Sequence, residues 1–275
     1  MTIAVTIKTG SAVVFAADSK ITTSAFAGLL ESGKPNWVVQ TYDNAYKLAH
    51  DRDRQLMAMV VGDANVGTVP AADFIAACGF PGAPDLPRQD ESLDRLLASM
   101  ANECRSYWSS SKLPEAQWPG PSLVVALAAP DGRSARVFWV SLRGGKFEKK
   151  EILKRPGIHL EGNPGDVFTL LYGFDAAKAE VITGQLQIDN DKFVEAWRRS
   201  RNLSAIDKLN VASMPIQDAM DLAEFLAYVQ VQMDRFLPGE AACGGPIDLM
   251  VLQLFPHPAI TEFAGKTLHH PRQSS

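Results

Sequence analysis

The sequence has few cysteines, no excess of positive charge and no long apolar run. Its three cysteines, Cys78, Cys104 and Cys243, are scattered. Their spacing fits neither a disulfide framework nor a metal knuckle, so a reducing cytoplasm is the expected setting. Lys and Arg number 27 against 31 Asp and Glu, a net charge of −4. No basic field invites nucleic acid, so none is expected as a partner. No apolar stretch approaches the ~20 residues of a membrane span. The first residues lack a basic region followed by an apolar core, so neither a membrane nor a secretory leader is expected. The histidines at 50, 159, 257, 269 and 270 show no metal spacing. No metal or organic cofactor is called for. No internal repeat or low-complexity block is present.

What is there reads as an ordinary globular chain of 275 residues, 46% hydrophobic and 21% charged. Ile3–Lys8 and Ala12–Ala17 read as strands around a Thr9-Gly10-Ser11 turn. Residues 19–41 read as an inserted loop. Ala45–Ala49 and Gln55–Val61 form a second expected hairpin, turned at 51–54, and 66–78 reads as a helix. A proline-rich loop covers 79–90. Leu93, Leu96, Leu97, Met100 and Cys104 then fall at helical spacing within 91–108.

Ser122–Ala129 and Ala135–Leu142 form another hairpin, which 147–153 continues. Helices are expected at 167–184 and 191–201. A long helix opens at Pro215 and carries a stripe of Ala219, Leu222, Leu226, Val229 and Met233. Asp248–Leu254 is a late strand. The expected division is one domain over 1–255 and a polar tail over 256–275. Strands, helices, strands, helices, then a strand favour an α+β class: antiparallel sheets with helices on their outer faces.

The most informative dipeptide is Met1-Thr2. Removal of Met1 leaves a threonine with a hydroxyl and a free α-amine a few ångströms apart. An α-amine titrates near ~8 and is partly unprotonated at neutral pH. Nucleophile and general base then share one residue. A three-residue turn at 9–11 sets Lys8 opposite Ala12 and Thr2 opposite Asp18; a two-residue turn sets Ala17 there instead. Asp18 stays adjacent in both registers. A carboxylate beside the terminus has a clear use: it fixes a lysine ammonium, which holds down the pKa of the amine and polarises the hydroxyl. Lys34 and Lys47 compete for that role. Lys47 is preferred, because it sits on an expected strand and Lys34 in a Gly- and Pro-containing loop.

Taken singly, each residue has an ordinary explanation. Thr2 is a common second residue, Asp18 a strand end, Lys47 a solvated strand lysine and Cys243-Gly-Gly a tight turn. Met57 and Met59 fit core packing better than a pocket wall, although an uncharged Met-rich stretch before Gly62 favours apolar residues at a cleavage position. Lys149-Lys150, between Glu148 and Glu151, reads as a solvated strand face.

The order of these segments carries more than any one of them. Thr2-Ile-Ala-Val, Gly10, Val14-Phe-Ala-Ala-Asp-Ser-Lys20 and Thr22 resemble the opening of a proteasome β-type subunit. Tyr46-Lys47-Leu48 and Leu56-Met-Ala-Met-Val-Val-Gly62 resemble the stretch where that family keeps its lysine and its glycine turn. Met214–Ala223 resembles the helix before the family's last catalytic turn, and Glu240-Ala-Ala-Cys-Gly-Gly245 resembles that turn. Over 80–210 only the order of elements agrees.

The resemblance implies an N-terminal-nucleophile (Ntn) hydrolase fold, a four-layer αββα sandwich of two antiparallel sheets flanked by helices. It implies a threonine-type peptidase with Thr2 as nucleophile and base and Asp18 and Lys47 as the supporting ion pair. The Gly62 N–H would form the oxyanion hole, and Thr22 would bind the substrate backbone. Glu240 and Cys243 stand where the family usually has Asp and Ser; both keep hydrogen-bonding ability with altered reach and donor strength. A further supporting serine of the family would fall near Gly162-Asn163-Pro164, with Asn163 as its stand-in. Implied partners are peptide or unfolded-protein substrate and copies of the chain in a homo-oligomeric ring, with room for an ATP-dependent unfoldase or another regulator. With Thr2 directly after Met1 no propeptide is expected, as in the simpler HslV peptidase and the bacterial proteasome-like homologues known as Anbu and the betaproteobacterial proteasome homologue. The length, with extra residues at 23–44, 79–120 and the C-terminus, favours the latter two groups. The rival readings are a catalytically silent ring subunit and a small-molecule Ntn amidohydrolase.

Overall fold

The apolar runs at 3–8 and 12–18 are buried at every position. Strands buried on both faces must be covered on both faces, and the architecture follows from that requirement. The computed structural model describes residues 2–29, 32, 34–53, 55–78, 89–129, 131–173, 176–189, 191–193, 195–196, 209–238 and 241–263. Among them the strands are β1 (Ile3–Lys8), β2 (Ala12–Asp18), β3 (Ile21–Leu29), β4 (Pro35–Tyr42), β5 (Leu48–Asp51), β6 (Leu56–Gly62), β7 (Asn65–Val66) and β8 (Val69–Pro70). They continue with β9 (Pro121–Ala128), β10 (Ala135–Arg143), β11 (Lys146–Ile152), β12 (Gly157–Gly162), β13 (Ile247–Gln253) and β14 (Ala259–Phe263). The helices are α1 (Ala71–Cys78), α2 (Gln89–Trp108), α3 (Gly165–Tyr172), α4 (Ala176–Leu186) and α5 (Ile216–Phe236).

Two five-stranded sheets result, in the orders β12-β1-β2-β13-β14 and β11-β10-β9-β6-β5. Every pairing in both is antiparallel. Alternation along the strands divides the buried side chains into separate clusters. Val13, Phe15 and Ala17 meet Met57, Met59, Val61, Val124 and Ala126 in a cluster built from both sheets. Ile3, Val5, Ile7, Val14 and Ala16 pack instead with Ala219, Ala223, Leu226 and Ala227 of α5. Leu56, Ala58, Val60, Leu123, Val125 and Leu127 pack with Leu93, Leu96, Leu97 and Met100 of α2 and Ile75 of α1. Met57 and Met59 are therefore core, fully buried.

Several expectations need correction. Residues 19–41 are not a loop; they contain the β3–β4 hairpin. The expected helix over 66–78 begins only at Ala71, because β7 and β8 form a small hairpin around Gly67, at φ +62°. The helix expected over 167–184 is two, separated where Gly173 adopts a left-handed φ of 82° as the C-cap of α3. β12 and β14 were not expected; β12 edges the first sheet beside β1. Of the stripe expected on α5, Ala219 and Leu226 are buried and Leu222 and Val229 pack half-buried against the same core, but Met233 is exposed, and the buried face is centred on Ala219, Met220, Ala223, Leu226, Ala227, Gln230 and Asp234. Small alanines at that spacing let the helix lie close on β1 and β2. Lys149 is not simply solvated, since it donates to Asp94 of α2. Of the helix expected over 191–201, the described residues 191–193 and 195–196 are helical; residues 79–88, 197–208 and 264–275, and the expectations that fall on them, lie outside the described set.

The register of the first hairpin also differs. Lys8 lies opposite Val13 and Ala4 opposite Ala17, one residue from the expected pairing. Thr9 is the cause. Its N–H donates to the Ala12 carbonyl at 2.8 Å, and its Oγ1 accepts from the N–H groups of Ser11 (3.1 Å) and Ala12 (3.0 Å). The hydroxyl closes a local turn around Gly10-Ser11 and moves the loop along by a residue.

Candidate active site

β1 and β2 run side by side, so the start of one meets the end of the other. Thr2, just before β1, is buried, and so are Asp18 at the end of β2 and Lys47 just before β5. Lys47 is held in the main chain by its carbonyl, which accepts from Val60 of β6 at 2.8 Å. Its Nζ donates to Thr2 Oγ1 at 2.7 Å and to Asp18 Oδ1 at 2.6 Å. Lys34 is exposed in the β3–β4 connection.

Asp18 is fully enclosed and accepts four hydrogen bonds. Oδ1 takes the Lys47 ammonium and the Ile3 N–H at 3.1 Å; Oδ2 takes the N–H groups of Gly244 at 2.9 Å and Lys20 at 3.3 Å. Burial pushes its carboxyl up from the ordinary value; the Lys47 charge and hydrogen bond, with the N–H groups of Gly244 and Ile3, pull it back. Four donors around one carboxylate are what a buried ionised group needs.

The segment around residue 162 pins Thr2 from the other side. The Thr2 carbonyl accepts from the Asn163 N–H at 2.8 Å. Gly162, at φ +88°, faces that carbonyl so closely that a Cβ would sit 1.8 Å from the oxygen. Asn163 thus contacts Thr2 through its main chain, whereas the expected stand-in role was for its side chain.

The 241–247 turn is the third support. Gly244 reaches Asp18 through its N–H and accepts from the Ser19 N–H at 3.1 Å. Cys243 is buried, and its N–H donates to Asp234 Oδ2 at 2.7 Å. Burial, followed by the negative charges of Asp18 and Asp234, pushes the Cys243 thiol far above its ordinary range. It is a neutral side chain and not a second nucleophile. Gly245 carries φ +74°, and a Cβ there would meet the Asp43 carbonyl at 2.2 Å. Gly62 ends β6 at φ +76° and is exposed. Thr22 lies on β3 opposite Thr41. The Thr22 side chain and the whole of Glu240 lie outside the described residues.

Other polar groups at this site were not singled out from the sequence. Ser19 donates to the Pro246 carbonyl (2.6 Å) and to Asp248 (3.2 Å), while its own carbonyl accepts from Ala45. Asp234 and Gln230 lie one turn apart on the buried face of α5. Gln230 Nε2 donates to Asp234 at 2.9 Å and to Asp166 of α3 at 3.1 Å. The visible signal was two polar residues four apart on an otherwise apolar helix face. Among the described residues no cluster of His, Cys, Asp and Glu is suited to a metal ion, and no helix is long and apolar enough to cross a membrane.

No protein-family model matches the chain, and no curated protein matches it. Among solved structures it is similar to the Anbu (Gly-1) mutant from Hyphomicrobium sp. strain MC1, at 14% identity and a TM-score of 0.48, covering 95% of this chain and 86% of that one. At that level the likeness adds nothing to the chemistry, which rests on this chain's own atoms.

Proposed function

We propose that the chain is an N-terminal-threonine peptidase of the Ntn-hydrolase type, active once Met1 is removed. One observation carries this reading: a buried lysine ammonium bridges Thr2 Oγ1 and the Asp18 carboxylate at 2.7 and 2.6 Å. Balancing Asp18 needs only the contact with the carboxylate; the second contact, to the hydroxyl, has a clear chemical purpose. It stabilises the oxygen as its proton leaves.

In the proposed cycle the free α-amine takes the Thr2 hydroxyl proton, and Oγ1 attacks the scissile carbonyl. The oxyanion forms toward the Gly62 N–H. The C–N bond breaks as the ammonium returns its proton to the leaving amine, which leaves an ester on Thr2. Water, deprotonated by the same amine, attacks the ester; the acyl C–Oγ1 bond breaks, Oγ1 takes back the proton, and the carboxylic acid leaves with Thr2 restored. Asp18 keeps Lys47 charged and in place throughout. Cys243 belongs to the turn that holds Asp18.

On this reading the helices cover the two sheets as the outer layers of a four-layer sandwich. Copies of the chain assemble into a ring around peptide or unfolded-protein substrate in the cytoplasm. Exposed Phe225, Tyr228 and Phe236 on α5, with Val181 and Leu186 on α4, supply apolar surface for such contacts.

The test is intact mass before and after treatment with a peptidyl electrophile that captures a terminal hydroxyl and amine together. The expected result is a protein lacking Met1 with one adduct, mapped to Thr2 and absent from Thr2→Ala. Retained Met1, or an adduct elsewhere, overturns the proposal.

A further inference from the structure

A cleft of about 950 Å³ opens beside the site. Its wall includes Tyr46, which precedes Lys47, and Asp63, which follows Gly62. It therefore lies next, along the chain, to the two residues assigned above to the reacting oxygen and carbonyl, Lys47 and Gly62. The lining is one-sided in charge: Asp43, Asp63 and Asp73 contribute carboxylates, and among the described residues no lysine, arginine or histidine lines it. Tyr107 and Trp108 add aromatic surface, set edge to face with ring centroids 4.8 Å apart. Met57 and Met59, the residues that favoured an apolar specificity, are sealed between the sheets and contribute no wall.

We propose that this cleft receives a cationic side chain, lysine or arginine, of the residue whose carbonyl Thr2 attacks. The proposal rests on the peptidase reading and names its substrate class. Carboxylates and aromatic faces on one cleft attract a cation by charge and by ring quadrupole together. A leucine gains only the apolar share of the wall, and a glutamate is repelled.

The acids are not equivalent. Asp43 lies near the stem of Lys20, across Gly244. Asp73 is exposed in the first turn of α1. Asp63 is half-buried and fixed by the N–H groups of Ala64 and Asn65, and its burial holds the carboxyl above the ordinary value. A guanidinium arriving beside it returns the stabilisation that burial took away. Asp63 is the principal determinant and Asp73 the second.

The experiment measures binding and labelling separately on the full chain. Acetylated tripeptide amides ending in arginine, leucine or glutamate are titrated calorimetrically into wild type, Asp63→Asn, Asp73→Asn and the double variant. The arginyl peptide is expected to bind about tenfold more tightly than the leucyl one, and the double variant to retain at most about twofold preference. Equal or weaker binding of the arginyl peptide overturns the proposal, as does a preference unchanged in the double variant. Asparagine preserves the acceptor oxygen for Ala64 and Asn65, and Asp73→Asn alone gives a partial loss if Asp63→Asn fails to fold. Electrophile labelling separates the two readings. Selective arginyl binding by a protein whose Thr2 takes no adduct supports the cleft and sinks the peptidase. An acylated Thr2 without arginyl preference does the reverse.

Discussion

Gly244 donates its N–H to Asp18 Oδ2 at 2.9 Å, joining residues 226 apart in sequence. The next N–H back, that of Cys243, goes to Asp234. One short turn therefore ties the enclosed carboxylate beside Thr2 to a buried carboxylate on α5.

Loss of the second carboxylate should loosen the first. Asp234→Ala leaves the Cys243 N–H and one Gln230 donor without partners. A cost of about 2–4 kcal/mol is expected by urea denaturation. Asp234→Asn, which keeps an acceptor oxygen, should lose less than half of that. Equal losses would mean that the negative charge matters and the hydrogen bonds do not.

Lys47→Met tests the bridge. The variant strands a buried Asp18 carboxylate, which costs about 3–5 kcal/mol at neutral pH. With the ammonium gone, burial raises the Asp18 carboxyl further, so the folded state binds a proton more readily than the unfolded one. Stability relative to wild type then falls as pH rises from the ordinary carboxylate range through that raised value, and recovers on acidification. Denaturation of both proteins from acid to neutral pH checks the sign. A deficit that does not shrink in acid contradicts an ionised pair.

Gly162→Ala places a methyl into the Thr2 carbonyl at a backbone angle that disfavours a side chain. It should cost at least about 2–3 kcal/mol in thermal or urea unfolding. Electrophile capture by Thr2 should fall with it. Near-wild-type stability would mean that the 162–163 segment does not hold the terminus.

Thiol chemistry gives a check free of turnover. Cys104 and Cys243 are both buried, and burial pushes both thiols up. In the native protein a maleimide at neutral pH should leave both unmodified by peptide mapping, and in denaturant it should modify both. Rapid native labelling of Cys243 would show that its turn opens.

The strands were legible wherever local pattern sufficed. β1, β2, β6, β9 and β13 are short apolar runs between turn residues, and burial on both faces makes such runs conspicuous. β3 and β4 were not, because their mixed composition lacks that signature. β12 depends on its pairing with β1, and Gly157-Ile-His-Leu-Glu-Gly162 offers little pattern of its own. The break at Gly173 was hidden in a helical pattern that continues on both sides of it.

At the site, Thr2, Asp18 and Lys47 could be named from the sequence. A terminal threonine, a hairpin returning to it and a lysine at the start of the next hairpin are features of local order. Which lysine reaches the hydroxyl, and at what distance, depends on how the sheets stack. The register slip came from hydrogen bonds of the Thr9 side chain within its own turn, which alternation of apolar residues does not reveal; the support from Asp234 and Gln230 and the acidic cleft beside Tyr46 depend on contacts between segments far apart in the chain. The sequence alone determined which residues are strand-forming, apolar or ionisable, because those properties belong to single residues and their near neighbours. Only the tertiary structure decided which charge is buried against which hydroxyl, because desolvation and hydrogen bonding depend on distances that chain order does not set.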